Sequence, residues 1–182
     1  MGEVVRAFVC IDIPEEVARV VEQVQGKLAG YFNGRIVPRE NLHLTLKFLG
    51  EISKEKVESV KRALNQVRFH KLSLTLDEIG TFYFRSQPRI IWFKIGGDVV
   101  EVQKLVDLAL SEMFELERRF MSHLTIARVK SCDKLKLAQA IRKISLPKLK
   151  FQVGEFKLKS SVLSPNGAVY STIASYSLNS DS

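Results

Sequence analysis

The chain of 182 residues lacks the features that mark membrane, secreted or disulfide-built proteins. No apolar run reaches the roughly 18 residues of a membrane span. The opening residues, 1–9, include Glu3 and Arg6 and do not have the pattern of a signal peptide. The two cysteines, Cys10 and Cys132, are too few for a structural zinc site and require no disulfide. We therefore expect a cytoplasmic protein with no membrane association.

Motifs of several enzyme classes are missing as well. The sequence contains no HExxH pattern and no carboxylate-rich cluster beside its histidine motifs, which argues against a histidine-based metal hydrolase. It contains no GxxxxGK[ST] phosphate-binding loop, which argues against ATP-driven ligation. We therefore expect neither a metal nor a cofactor.

The chain has more basic than acidic residues, but no single segment of the sequence carries a concentrated block of charge. The net charge is +8 and the pI about 9.6, yet no block of five or more like charges and no low-complexity tail occurs. A basic excess favours polyanionic partners, although solvated helix faces explain it equally well. Any nucleic-acid surface must therefore be assembled by the fold.

Two of the three histidines lie in a repeated frame, His43-Leu44-Thr45-Leu46 and His123-Leu124-Thr125-Ile126. Side chains two apart in a strand point to the same face, so each copy offers one imidazole and one hydroxyl together. Two copies brought together would suit acid–base chemistry on a phosphate ester. Inherited packing after a duplication is the alternative. Packing alone does not favour a titratable group, which costs free energy when it is buried without partners.

Hydrophobic periodicity predicts the same order of elements twice, namely strand, helix, motif strand, helix and strand. The first copy comprises strand 4–13, a helix that Gly30 closes, strand 43–49, a helix capped by Ser53 and strand 72–76. The second copy comprises strand 90–95, a helix capped by Asp98, strand 123–129, a helix capped by Asp133 and strand 149–153.

This repetition predicts an α+β fold with two pseudo-twofold-related lobes. Antiparallel sheets would face a central cleft, with helices on the outer faces. We expect a single domain over 1–182, with a first half at about 4–80 and a second half at about 89–160. Residues 81–89 would join the halves, and residues 161–182 would form a turn at 164–167 followed by a last strand, 168–178.

Together these motifs resemble the two-histidine (2H) phosphoesterase superfamily. The segment Arg39–Gly50, RENLHLTLKFLG, is similar to its LigT-like branch, the RNA 2′,3′-cyclic phosphodiesterases historically called 2′-5′ RNA ligases. Residues 6–11 (RAFVCI), 88–92 (PRIIW) and 127–128 (AR) also look like that branch. One departure is Met121-Ser122, where an aromatic or proline-containing approach to the second motif would be expected.

The resemblance implies hydrolysis of RNA 2′,3′-cyclic phosphate ends to 2′-phosphates, with His43 as proton donor and His123 as proton acceptor. Thr45 and Thr125 could donate to the non-bridging oxygens. From the residues alone the two histidine roles can be swapped. The reverse reaction would make a 2′-5′ linkage, and tRNA halves are one conceivable substrate. We expect a monomer without an obligatory protein partner. The competing hypothesis is a non-catalytic module that binds RNA ends or nucleotides.

Four basic residues are candidate substrate ligands. Strict alternation places Lys47 on the face of His43, where it would meet a phosphate or lie in solvent at the cleft edge. Alternation points Arg128 away from His123 unless a bulge re-aims it. Arg118 and Arg119 would widen a basic rim.

The aromatic residues near the motifs have a simpler interpretation. Phe48 and Trp92 are expected in the core, as is the aromatic cluster 82–84, for which stacking on a base is the alternative. His70, which has no threonine partner, is expected at the surface.

Overall fold

The computed structural model describes residues 3–165 and 167–178. Asn166 of the predicted turn and residues 179–182 of the predicted C-terminal segment lie outside the described residues. The strands are β1 Val4–Asp12, β2 Phe32–Ile36, β3 His43–Ser53, β4 Leu72–Phe84, β5 Gln87–Gly97, β6 His123–Cys132, β7 Leu149–Val153, β8 Glu155–Ser164 and β9 Gly167–Ser177. The helices are α1 Glu15–Leu28, α2 Lys54–Leu64, α3 Val99–Ala109 and α4 Lys134–Arg142.

Every predicted helix and strand is present, and two of the three predicted helix caps are confirmed. The Ser53 hydroxyl accepts from the Lys56 amide, and the Asp133 carboxylate accepts from two amides at the start of α4. Asp98 occupies the predicted N-cap position of α3, but its side chain makes no capping hydrogen bond. Its carboxylate instead accepts from the amide of Ser73 at 2.8 Å, because α3 begins beside strand β4.

Two strands, β2 and β8, were not predicted. The segment that forms β2 contains Asn33-Gly34, which indicated a turn. Strand β8 carries a recognisable alternation, with Phe156 and Leu158 buried between lysines. The strand pattern at β8 therefore existed in the sequence, whereas β2 depends on its partner strand.

The strands form one antiparallel sheet in the order β7-β4-β5-β6-β3-β1-β8-β9, with β2 added to β6. We call β3-β1-β8-β9 lobe I and β6-β5-β4-β7 lobe II. Each lobe begins with a motif strand at the centre and ends with a peripheral strand. The predicted α+β fold with two related lobes is confirmed.

The lobes do not coincide with the halves predicted from the repeat. Strand β4 pairs with β5 and β7, so lobe II is the continuous segment 72–153. Lobe I combines β1 and β3 of the N-terminal segment with strands β8 and β9, whereas β2 of the same segment pairs with β6 of lobe II. The predicted connector 81–89 is the tip of the β4–β5 hairpin, where Arg85 and Ser86 have φ of 48° and 60°. Positive φ at both central residues is the geometry of a tight type I′ turn.

The helices cover the face of the sheet that carries the buried leucines of both motifs. Helix α1 contacts β6 and α4, and helix α3 contacts β3 and α2. Each of these two helices therefore packs across the lobe boundary onto the other lobe's motif strand. No helix within residues 3–165 and 167–178 is long and apolar enough to cross a membrane.

Candidate active site

The two motif strands meet at a single pair, Leu44 opposite Leu124. Because the strands run antiparallel, this register sets His43 beside Thr125 and Thr45 beside His123. Both leucines are fully buried on the helix side, so all four polar side chains lie on the opposite face. The histidines occupy diagonal positions, for which Cα atoms lie about 7–8 Å apart.

Each imidazole is oriented by a backbone carbonyl two residues upstream. His43 Nδ1 lies 2.8 Å from the carbonyl oxygen of Asn41, and His123 Nδ1 lies 2.8 Å from that of Met121. A carbonyl only accepts, so Nδ1 carries the hydrogen and Nε2 is left for a substrate. The unexpected Met121-Ser122 approach therefore supplies the same contact as Asn41-Leu42.

Aromatic rings flank both histidines. The His43 ring lies 4.9 Å from Phe8 and 5.1 Å from Tyr170, measured between centroids. The His123 ring lies 5.1 Å from Phe82, which lies 5.0 Å from Trp92. Phe82 and Trp92 are half-buried and share the face of His123. The expectation that these two residues lie in the core is therefore not met, because they form a wall of the cleft.

Trp92 depends on a glycine in the neighbouring strand. A Cβ at Gly80 would overlap the indole ring, so β4 needs glycine where Trp92 lies across it. The indole nitrogen is buried and has no hydrogen-bond partner among the described residues.

A charged cluster adjoins His43 in lobe I. The Asp12 carboxylate accepts from Lys157 Nζ at 2.9 Å and from Lys159 Nζ at 2.5 Å. Burial raises the pKa of Asp12, but the two lysine hydrogen bonds outweigh burial and hold this pKa below its usual value. Cys10, on the same strand as Asp12, is buried and its pKa is raised to about 12, so it remains a neutral thiol.

The pKa of His43 is lowered, chiefly by burial. The hydrogen bond to Asn41 and the charge of Asp12 act in the opposite direction, while Lys159 and Arg128 lower the pKa further. The free protein therefore favours the neutral form of His43.

A bulge in β3 moves Lys47 away from the cleft. Val9 pairs with Lys47 and Cys10 with Thr45, which leaves Leu46 as an extra residue and reverses the alternation after it. The Lys47 ammonium is paired with Asp107 of α3 and donates to the carbonyl of Glu115 at 2.7 Å. The two paired side chains are 6% and 8% exposed. The expected place of Lys47 on the histidine face is therefore wrong.

The same bulge brings Phe48 out of the core. Phe48 is 73% exposed, and its ring lies 6.4 Å from Phe8 on the cleft face. The expectation of a core position for Phe48 is wrong for the same reason, because it depended on unbroken alternation.

Strand β6 has a matching bulge. Ile91 pairs with Ala127 and Trp92 with Thr125, so Ile126 is the extra residue. Ala127 and Val129 are buried while Arg128 between them is exposed, which places Arg128 on the face of His123. The bulge that Arg128 needs in order to face the cleft is therefore present.

Gln25 of α1 supports this bulge and was missed by sequence reasoning. Its buried amide donates to the carbonyl of Ile126 at 2.9 Å and to that of Val37 at 2.8 Å. The only sequence signal is a glutamine next to Val24 on the apolar stripe of a helix.

Arg118 and Arg119 lie in the exposed segment between α3 and β6. Arg118 lines a depression of about 410 Å³ together with Phe48 and Phe114. The amide of Arg119 donates to the carboxylate of Glu117 at 3.2 Å. Arg118 thus shares this depression with Phe48, whose ring lies on the cleft face.

Two imidazoles and two hydroxyls on one face, at the junction of two similar lobes, define a two-histidine site. The sequence model of the protein family described as "LigT like Phosphoesterase" matches residues 11–92 and 94–170. The chain belongs to this family of LigT-like phosphoesterases.

Two archaeal relatives are similar over nearly their whole length. The chain is 37% identical to the RNA 2′,3′-cyclic phosphodiesterase of Methanocaldococcus jannaschii, covering 92% of this chain and 98% of the relative. It is 31% identical to the protein of the same name from Archaeoglobus fulgidus, covering 91% and 96%.

Solved structures give the same grouping. E. coli LigT complexed with 3′-AMP superposes with a TM-score of 0.70 at 27% identity, covering 97% of this chain and 99% of LigT. The protein TT0787 of Thermus thermophilus superposes with a TM-score of 0.82 at 24% identity, covering 97% and 100%, and shows the fold.

Proposed function

We propose that the protein hydrolyses RNA 2′,3′-cyclic phosphate ends to 2′-phosphates by general acid–base catalysis with two histidines. The observation that carries this proposal is the Leu44–Leu124 pair, which sets His43 and His123 on one face with the Nε2 atom of each available. The names of the archaeal relatives and the 3′-AMP complex of E. coli LigT support the substrate class.

The reaction needs one proton removed and one supplied on opposite sides of the phosphorus. Neutral His123 takes a proton from water as the water oxygen attacks, and protonated His43 gives a proton to the departing 3′ oxygen. The P–O3′ bond breaks, and the phosphate remains on the 2′ oxygen. Histidine suits both roles because its unperturbed pKa is about 6.5.

The charge that develops on the non-bridging oxygens is stabilised by Thr45, Thr125 and Arg128. Donors held in place before the reaction stabilise such charge without reorganisation. The guanidinium of Arg128 adds a charge-assisted contact. Arg118 would contact the bound strand from the rim, next to Phe48.

The assignment of His43 as acid follows the family resemblance and requires that bound substrate restore the proton that burial disfavours. Burial lowers the pKa of His43 in the free protein. A phosphate anion beside the ring favours the charged imidazolium, so binding of the substrate itself loads the acid with its proton.

The test uses a short RNA ending in a 2′,3′-cyclic phosphate, with EDTA present. Wild type, His43→Ala and His123→Ala are compared, with His70→Ala as the matched control because His70 is exposed and lies against Asp98. The product end is identified by mass and by phosphatase sensitivity. We expect a 2′-phosphate from wild type and His70→Ala, and turnover reduced at least ~100-fold in the two motif variants.

Each other outcome has a defined meaning. A 3′-phosphate product would mean that the 2′ oxygen, and not the 3′ oxygen, is the leaving group. Loss of wild-type turnover on adding EDTA would indicate a metal. Binding without turnover by wild type would favour the second candidate, a module that only binds RNA ends in the same basic cleft.

The same site suggests a reverse ligation reaction, a class of cellular RNA substrate and a monomeric state. The reverse reaction would join a cyclic phosphate to a 5′-hydroxyl, and hydrolysis dominates in water unless the two ends are held together. tRNA halves are one class of RNA with suitable ends. We propose a monomer, because one chain carries both half-sites.

A further inference from the structure

A second arginine lies directly opposite Arg128. The short strand β2 pairs with β6, and its Arg35 is the partner of Arg128 in the register. Side chains of directly opposite residues lie on the same face with Cβ atoms about 5 Å apart. Arg35 therefore stands on the face of the sheet that carries the histidines.

Gly34 permits this arrangement. A Cβ at position 34 would overlap the carbonyl oxygen of Arg128, so β2 can lie this close to β6 only with glycine there. The Arg35 guanidinium also donates to the carbonyl of Pro165 at 3.3 Å, in the turn between β8 and β9. Arg35 thus reaches from the edge of lobe II to lobe I.

The Arg35–Arg128 pair has no neutralising partner. Like charges directly opposite in a sheet are destabilising. Within residues 3–165 and 167–178, no carboxylate lies within ion-pairing distance of either guanidinium. Both side chains are exposed. The arrangement suits an anion with several acceptor oxygens, and arginine binds phosphate in a bidentate manner.

Arg35 is displaced from the catalytic pair along the sheet. His43 stands at the level of Thr125, whereas Arg35 stands at the level of Arg128. Because Ile126 is the extra residue of the bulge, the two levels are two ladder positions apart on β5, about 7 Å. Arg128 is near enough to His43 to affect its pKa, and Arg35 lies on the line of β3 extended beyond His43. This position is beyond the reacting phosphate.

We propose that Arg35 binds the phosphodiester that precedes the terminal nucleotide of the RNA, while Arg128, opposite it on β6, contacts the reacting phosphate. The inference rests on the proposed function and narrows its substrate class to oligonucleotides in preference to mononucleoside cyclic phosphates. Arg35 takes no part in the proton transfers.

The test compares two substrates that differ only in this phosphodiester. Wild type, Arg35→Ala and Arg35→Lys act on a short RNA with a 2′,3′-cyclic phosphate end and on the matching mononucleoside 2′,3′-cyclic phosphate. Arg142→Ala is the control, since Arg142 is an exposed arginine in the last turn of α4, a helix that contacts α1. Circular dichroism checks that every variant is folded.

For Arg35→Ala we expect kcat/KM on the RNA to fall about tenfold, mainly through KM, the size of one lost charged hydrogen bond. The mononucleotide reaction should change less than about twofold. The slope of log KM against log salt on the RNA should become shallower by about 0.7, the value for one phosphate on a single strand. The kcat/KM of Arg35→Lys on the RNA should lie between those of wild type and Arg35→Ala, because lysine keeps the charge but not the bidentate geometry.

Equal losses on both substrates, or no loss on the RNA, would overturn the proposal. Failure of wild type to hydrolyse either substrate would contradict the proposed function but would still leave the subsite open to measurement. Fluorescence anisotropy of the same RNA bound to His43→Ala and to His43→Ala/Arg35→Ala then decides. Equal affinities would overturn the subsite.

Discussion

At the scale of single residues, the site depends on small differences between two similar histidines. Both rings donate from Nδ1 to a carbonyl at 2.8 Å. Only His43 lies against Phe8 and Tyr170 and near the Asp12–Lys159 pair. Motifs that are equivalent in sequence are therefore electrostatically unequal.

The first prediction concerns the pKa of His43. Asp12→Asn removes a negative charge that raises this pKa, so the pKa should fall further, and Lys159→Met should raise it. The His43 midpoint is measured by NMR titration of the ring. Inorganic phosphate should move the midpoint to higher pH in the wild type.

The sign of the linked stability follows from the same shift. Because the folded pKa of His43 lies below its unfolded value, protonation destabilises the fold. The contribution of His43 is complete above the unfolded pKa and is lost as the pH falls through the folded one. The control for Asp12→Asn is Glu16→Gln, which removes an exposed carboxylate on α1. A midpoint that rises in Asp12→Asn would contradict this account.

At the scale of secondary-structure elements, the bulges decide which side chains reach the cleft. An extra residue in one strand reverses the faces of all that follow. In β3 the bulge turns Lys47 inward and Phe48 outward, and in β6 it turns Arg128 toward the histidines. Alternation predicts His and Thr correctly because both precede the bulge.

The second prediction concerns the buried pair of Lys47 and Asp107, which connects β3 to α3 and to the segment before β6. Asp107 also accepts from the amide of Glu117 at 2.7 Å. Lys47→Met should lower the free energy of unfolding by about 3–5 kcal/mol, because it leaves a buried carboxylate without its partner. The double variant Lys47→Met/Asp107→Leu should lose less, since neither charge remains.

Urea unfolding measures these losses, and inhibition by inorganic phosphate is measured on the same variants. We expect the phosphate inhibition constant of folded Lys47→Met to stay within about twofold of wild type. A large loss of phosphate affinity would return Lys47 to the substrate site. Equal destabilisation of the single and double variants would contradict the pairing.

At the scale of the whole molecule, the two lobes are built from interleaved chain. Lobe I contains both the first and the last strands and encloses the continuous segment of lobe II. Helix α1 packs on β6 and helix α3 on β3, so each covers the other lobe's motif strand. The cleft is therefore held by elements that belong to both lobes.

The third prediction is that the lobes unfold together. Trp92, the only tryptophan, reports on lobe II, while far-ultraviolet circular dichroism reports on both. Leu158→Ala removes a fully buried side chain of β8 in lobe I and should cost about 2–5 kcal/mol. The two probes should give coincident urea transitions, both shifted equally.

Val162→Ala is the matched control on the same strand, since Val162 is 66% exposed; it should change stability by no more than about 0.5 kcal/mol. A shift seen by circular dichroism and not by Trp92 would show that the lobes unfold separately.

Local patterns in the sequence were sufficient to place His and Thr of each motif on one face and to predict most of the element order. Strand alternation and helical periodicity are local, so they identify the His-Thr pairs and the four helices. They allow Arg128 to face the cleft only if β6 contains a bulge. Short-range patterns also supported the caps at Ser53 and Asp133, which the structure confirms.

The way these elements are shared between the lobes emerged only with the folded chain. The assignment of β4 to lobe II, the burial of Lys47 and the position of Arg35 all depend on which distant strand supplies the hydrogen bonds. A bulge forms where two strands of unequal local length must pair, and a glycine such as Gly34 is required only once a neighbouring backbone lies against it. These are non-local contacts, so no window of sequence contains them.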